Sequence, residues 1–118
     1  MNIYFKETDY GTFCLLEKDL ISSCINNYGY WEQHLYLFYS NFIKPDFVIL
    51  DGGANLGFHT VQFGFLGSKV YSFEPQSYVY NQLCANILFN TLLILKFPIA
   101  KMTVGSASNF IPLLILFI

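Results

Sequence analysis

The chain has 118 residues, enough for one small domain, and its 54% hydrophobic and 19% aromatic content can build a packed core, which excludes a disordered chain. Net charge is −2, with six Lys and no Arg; nucleic-acid binding, which needs a basic footprint, is not expected, and no guanidinium is present to clamp a phosphate or carboxylate. Cys14, Cys24 and Cys84 are scattered, with no C-x-x-C and no His at ligand spacing, so a metal site or disulfide framework is not expected and reduced, buried thiols are.

The first residues, Met1-Asn2-Ile3-Tyr4-Phe5-Lys6-Glu7, lack a basic segment followed by an apolar one. No signal peptide is therefore expected, and a cytoplasmic setting follows. Ile3-Tyr4-Phe5 and Thr12-Phe13-Cys14-Leu15-Leu16 flank Asp9-Tyr10-Gly11 and predict a hairpin on the edge of the domain. Asp19 stands where an N-cap would, before apolar positions Leu20, Ile21, Cys24 and Ile25; this predicts a short amphipathic helix that Asn26-Asn27-Tyr28-Gly29 stops.

A second helical stripe, Trp31, Leu35, Phe38, Tyr39 and Phe42, spans 31–42, with His34 in a surface or core slot. Lys44-Pro45-Asp46 is a turn. Phe47-Val48-Ile49-Leu50 follows with no polar alternation, as in a strand buried on both faces of a parallel sheet. That strand ends on Asp51 and runs into a glycine turn, after which residues 57–65 predict a helix ended by Gly64, Gly67 and Ser68. A second strand, Val70-Tyr71-Ser72-Phe73, ends on Glu74. A longer helix over 77–89 follows, with Tyr80, Leu83, Cys84, Ile87 and Leu88 on one face and Asn90 as its C-cap, and then a third strand over 92–97.

The turn Asp51-Gly52-Gly53-Ala54-Asn55-Leu56-Gly57 carries the chemistry. A strand that feeds a helix aims the helix N-terminal N–H groups at the strand end, and glycines admit ligand atoms to the backbone. Asn55 can take the left-handed conformation almost as glycine does, and Gly57 permits close packing of helix on strand. The glycines do not fit G-x-G-x-x-G, the dinucleotide fingerprint, and Gly67-Ser68-Lys69 is not a P-loop. D-x-G-x-x-x-G, with a carboxylate at the floor of the turn, suits the ammonium and sulfonium of S-adenosylmethionine. Glu74 is placed to accept both ribose hydroxyls.

Ile49-Leu50-Asp51-Gly52-Gly53-Ala54-Asn55-Leu56-Gly57-Phe58-His59-Thr60 followed by Val70-Tyr71-Ser72-Phe73-Glu74-Pro75 resembles the FkbM-type S-adenosylmethionine-dependent methyltransferases, with their D-x-G-A-N-x-G turn and F-E-P after the second strand. Leu83, Asn86 and Asn90 match that family's L-x-x-N-x-x-x-N helix, and Gly29-Tyr30-Trp31-Glu32 its G-x-[WY]-E. The resemblance implies an α/β fold: a partial Rossmann-like class I methyltransferase sheet, strands one to three with flanking helices, preceded by a small β-hairpin and helical region. It divides a single domain into residues 1–45, a cofactor-binding half at 46–100 and an apolar tail at 101–118.

The resemblance further implies S-adenosyl-L-methionine as cofactor. Asp51, Gly52, Gly53, Ala54, Asn55 and Gly57 line its methionine end, Glu74 holds the ribose, and Glu32 lies near the amino group. His59 and Thr60 match the family turn and fit equally as helix-start residues. O-methylation of a small molecule or sugar is the implied activity. Later strands of that family build the acceptor pocket, so no catalytic residue is named. The apolar run over 109–118 reads as an early stop, a frameshift or a piece of a larger protein. It is shorter than a bilayer span, and self-association through it or through an open sheet edge is expected. Two other classes stay open: a non-catalytic remnant or interaction module, and peripheral membrane attachment through the tail. Dinucleotide binding ranks lower.

Overall fold

The computed structural model describes residues 2–93. Ile3–Thr8 (β1) and Gly11–Leu16 (β2) form the expected antiparallel hairpin, with Ile3 opposite Leu16 and Thr8 opposite Gly11. Thr8 closes it: its hydroxyl donates to the Gly11 carbonyl at 2.8 Å and accepts the Tyr10 N–H at 3.0 Å. The hairpin is no mere edge decoration, because Phe13 through Leu16 are all buried.

Leu20–Tyr28 (α1) begins at Asp19, whose carboxylate accepts the Ser22 N–H at 2.7 Å and so satisfies one orphan donor of the first turn. The expected stop at Asn26 comes later. Both asparagines stay helical, and Gly29, at φ 82°, ends the helix by donating its N–H to the Ile25 carbonyl at 2.8 Å. Gln33–Tyr39 (α2) is shorter than the stripe over 31–42. Tyr39 is buried and Leu35 packs on the same cluster, but Phe38 and Phe42 are 69% and 50% exposed, and Trp31 precedes the helix.

Val48–Gly52 (β3), Phe58–Phe65 (α3) and Lys69–Phe73 (β4) form a β-α-β unit with parallel strands, Val48 opposite Lys69 and Asp51 opposite Ser72. The parallel pairing agrees with expectation; burial on both faces does not. Ile49 and Asp51 are buried while Val48 and Leu50 are only half-buried. Tyr39, Ile43 and Phe63 cover the Ile49–Val70 face, whereas Tyr71 and Phe73 on the other face keep partial exposure.

Ser77–Leu93 (α4) runs through Asn90, so that residue is no C-cap, and Leu92 and Leu93 are helical instead of opening a third strand. The rest of that predicted strand, and the apolar tail, lie outside the described residues. Among those described, each sheet has two strands. Leu88, placed on the apolar face from sequence, is 60% exposed, while Leu83 and Ile87 are buried. No described helix is long and apolar enough to cross a membrane.

The buried face of α4 also carries a row of amides at Gln82, Asn86 and Asn90. Their spacing puts them one turn apart on one side of the helix. Asn86 Oδ1 accepts the Cys14 N–H at 2.6 Å, and Gln82 Nε2 donates to the Cys14 carbonyl at 2.8 Å. Asn90 accepts the Thr12 N–H at 3.0 Å and donates to the Thr12 carbonyl at 2.8 Å. Alternate residues of a strand aim their backbone groups at the same edge, so two asparagines and a glutamine stand in for a missing neighbour strand along β2. Leu16 N–H, next in that series, donates to Ser22 Oγ at 3.1 Å.

α3 joins the clusters of the core. Phe58 and Val61 pack with Phe13, Leu15, Ile25 and Leu56, against which Tyr30 and Trp31 also rest; Phe63 packs with Tyr39, Ile43, Ile49 and Val70. Full burial of such side chains contributes about 1.5–3 kcal/mol apiece. The turn between β3 and α3 is thereby held from both ends.

Candidate functional site

The turn begins where β3 stops. Gly53, at φ 76°, and Asn55, at φ 52°, take left-handed conformations, and Gly57, at φ 90°, caps α3. Asn55 behaves as its sequence position predicts: its short amide accepts the Leu56 N–H at 2.8 Å and so supports the left-handed backbone. At Gly53 an added Cβ would meet no atom within 4 Å, so that peptide faces open space. At Gly57 it would lie 2.5 Å from Leu83 Cδ1 of α4, the close packing expected there. Gly52 ends β3 opposite Phe73, and the Gly53 and Ala54 N–H groups both donate to the Phe73 carbonyl, at 2.9 and 3.0 Å.

The two acids stand at the ends of adjacent parallel strands. Asp51 is buried, and Oδ2 accepts the hydroxyl proton of Thr60 on α3, which also lies 2.9 Å from Ser72 Oγ. Burial pushes the Asp51 carboxyl above its ordinary range; the Thr60 hydrogen bond and His59 act in the opposite direction, and Glu74 adds to the rise. Glu74 is buried too. Its Oε2 accepts the Asn55 N–H at 2.9 Å and its Oε1 the Gln76 N–H at 2.9 Å. One carboxylate thus ties the glycine turn to the start of α4.

Glu32 comes to the same place from α2. It is an N-cap at φ 49°, ψ 49°, and its side chain makes no capping bond. Oε2 instead lies 3.1 Å from His59 Nε2. The other nitrogen of that ring, Nδ1, lies 2.9 Å from the Tyr39 hydroxyl, which donates to Gln62 Oε1. Burial, with Asp51 next in effect, pushes the Tyr39 phenol far up, so it stays a neutral donor. Gln62 Nε2 is buried and has no hydrogen-bond partner among the described residues.

The eight residues singled out from sequence therefore fall in two groups. Asp51, Gly52, Gly53, Asn55 and Glu74 stand together at the strand ends, with Glu32 approaching through His59; Ala54 and Gly57 instead pack on α4, Ala54 in a buried cluster with Leu83 and Ile87. Thr60, Ser72, Tyr39 and Gln62 were missed or left unassigned. Ser72 and Thr60 carried a signal, since the parallel register sets Ser72 opposite Asp51 and the third residue of α3 faces the strand it follows. Tyr39 carried none, because its role rests on a contact between distant segments.

No family model and no curated protein matches this chain. Among solved structures it is similar to the Pyrococcus abyssi tRNA (uracil-54, C5)-methyltransferase, crystallised in complex with S-adenosyl-L-homocysteine. The TM-score is 0.57 at 14% identity, over 88% of this chain and 24% of that one. At that identity the likeness establishes a shared fold. The chain spans about a quarter of that methyltransferase's length.

Proposed function

We propose that this chain carries the cofactor-binding unit of an S-adenosylmethionine-dependent methyltransferase similar to the FkbM type, acting on a hydroxyl of a small molecule or sugar. One observation carries the reading: Asp51 and Glu74, at the ends of adjacent parallel strands, face a turn whose Gly53, Asn55 and Gly57 are all left-handed. The likeness to a methyltransferase crystallised with S-adenosyl-L-homocysteine supports it.

The residues fit the cofactor. Asp51 is a buried carboxylate, and a nearby ammonium favours its charged form, which burial disfavours. Each Glu74 oxygen accepts one backbone N–H, and a carboxylate oxygen has room for a second bond, which suits ribose hydroxyls. The open space beside Gly53 admits ligand atoms to the backbone. S-adenosylmethionine, when bound, supplies an electrophilic methyl group; the chain's own residues bind and orient, and positioning is the main catalytic contribution in such a displacement. A net charge of −2 without Arg favours a small acceptor over a nucleic acid.

The test is calorimetric titration with S-adenosyl-L-homocysteine, with melting temperature measured in parallel. Wild type should give saturable heat, and Glu74→Gln should weaken binding by about tenfold or more, the effect of losing a charged hydrogen bond. Neither heat nor a thermal shift in a folded sample would overturn the reading. A second reading, an interaction module, draws on the outer edges of β3 and β4, which pair only with each other among the described residues. An obligate dimer by light scattering, without cofactor binding, would favour it.

A further inference from the structure

The end of α1 and the start of α2 border an open groove of about 460 Å³, lined by Tyr28, Tyr30, Trp31 and Glu32 among others. We propose that this groove binds an organic cation, a quaternary or alkylated ammonium, with its charge beside Glu32 and its methyl groups on the three rings. The inference does not rest on the methyltransferase reading.

Tyr30 and Trp31 line the groove and also rest on the core cluster of Phe13, Ile25 and Leu56, which anchors both side chains. Tyr28, 67% exposed, sits across the left-handed Gly29 turn with its ring centroid 6.3 Å from that of Tyr30 and the planes 35° apart. The polar part of the lining is Glu32, Gln33 and His34, with no Lys, and the chain has no Arg. Glu32 is thus the acid in a ring-walled groove, and its side chain keeps 38% exposure while its carboxylate meets His59.

That composition selects the ligand. An anion meets a carboxylate and the negative faces of three rings. A small primary ammonium is strongly hydrated and gains little from leaving water. A quaternary ammonium is weakly hydrated, and both the carboxylate and the ring quadrupoles attract it.

Choline is the probe and the single Trp of the chain, Trp31, the reporter. Titration of the full chain with choline should change Trp31 fluorescence saturably. The neutral carbon isostere 3,3-dimethylbutan-1-ol should bind about tenfold more weakly. Glu32→Gln should weaken choline about fivefold or more, and Tyr28→Ala, at an exposed position, should weaken it with the melting temperature unchanged. Equal binding of the alcohol would overturn the proposal, as would no response to choline in a folded protein. Displacement of choline by S-adenosyl-L-homocysteine would also overturn it as a separate site, since the cation seat would then belong to the cofactor. Choline binding without any response to S-adenosyl-L-homocysteine would uphold this groove while the methyltransferase reading fails.

Discussion

Asn86→Leu tests the amide row on α4 most directly, because leucine keeps the branched heavy-atom outline of asparagine while removing all of its hydrogen-bonding groups. The Asn86 side chain is fully buried. Its Oδ1 accepts the Cys14 N–H at 2.6 Å, and its Nδ2 donates to the Leu56 carbonyl at 2.7 Å and, at 3.4 Å, to the Cys14 carbonyl. Leucine can make none of these bonds. The Cys14 carbonyl keeps Gln82, but the Cys14 N–H and the Leu56 carbonyl are left buried and unpaired. Each orphaned group costs about 1–3 kcal/mol, so the variant should lose about 2–6 kcal/mol, less whatever the added apolar burial returns. Set against a typical total of about 5–15 kcal/mol, that is a large fraction. Urea unfolding followed by Trp31 fluorescence gives the difference from the midpoint and slope. Leu88→Asn, at a 60% exposed position on the same helix, serves as control and should change stability by no more than about 0.5 kcal/mol. A loss below about 0.5 kcal/mol in Asn86→Leu would refute the account, because those two backbone groups would then have other partners.

The remaining predictions concern the turn. The Asp51 carboxyl is raised above its ordinary value of 3.8 by burial, so the folded state holds its proton more tightly than the unfolded state does. Its contribution to stability is therefore fully present below about pH 3.8 and is lost as pH rises through the raised folded value. Asp51→Asn, which keeps an oxygen for the Thr60 hydroxyl, should gain stability relative to wild type as pH goes from 4 to 7 in paired urea melts, while binding S-adenosyl-L-homocysteine more weakly; a flat difference would refute the burial argument. Gly57→Ala should cost about 1.5–3.5 kcal/mol, from a left-handed φ and a Cβ that pushes Leu83 aside. Gly53→Ala meets no atom and should cost only the conformational part, about 1–2 kcal/mol, so equal melting temperatures would count against the packing assigned to Gly57.

Much of this fold was legible because its signals are local. Asp19 as a cap, the Asp9–Gly11 turn and the strand-turn-helix around Asp51 each depend on residues a few positions apart, and each is found where the pattern puts it. Asn90 was misread for the opposite reason. An asparagine late in a helical pattern looks like a stop when only its neighbours are seen, yet its amide is used up on Thr12 and the helix passes through it. The same non-local bonds explain why the L-x-x-N-x-x-x-N pattern could be matched without its purpose being visible. In the site, the strand-end residues could be named, but the hydrogen bonds of Glu74 to Asn55 and of Asp51 to Thr60 needed the packing of β3, β4 and α3. Glu32 was placed near the turn by resemblance; its partner His59 emerges only from the packing of α2 against α3.

The clamp of α4 on β2 also has a bearing on the order of events during synthesis. The bonds from Asn86 and Asn90 to the hairpin close loops of 72 and 78 residues, so the hairpin, made well before α4, is among the last elements to have its backbone groups satisfied. At about 5–20 residues per second, a ribosome needs roughly 4–16 s to go from the hairpin to its partner helix. Throughout that interval the β2 edge, with Phe13 and Leu15 beside it, is open to any extended segment, and a chaperone or a neighbouring nascent chain competes with α4 for it. Slowing translation between the hairpin and α4 should therefore lower the yield of folded protein, and supplying α4 early, by circular permutation, should restore it.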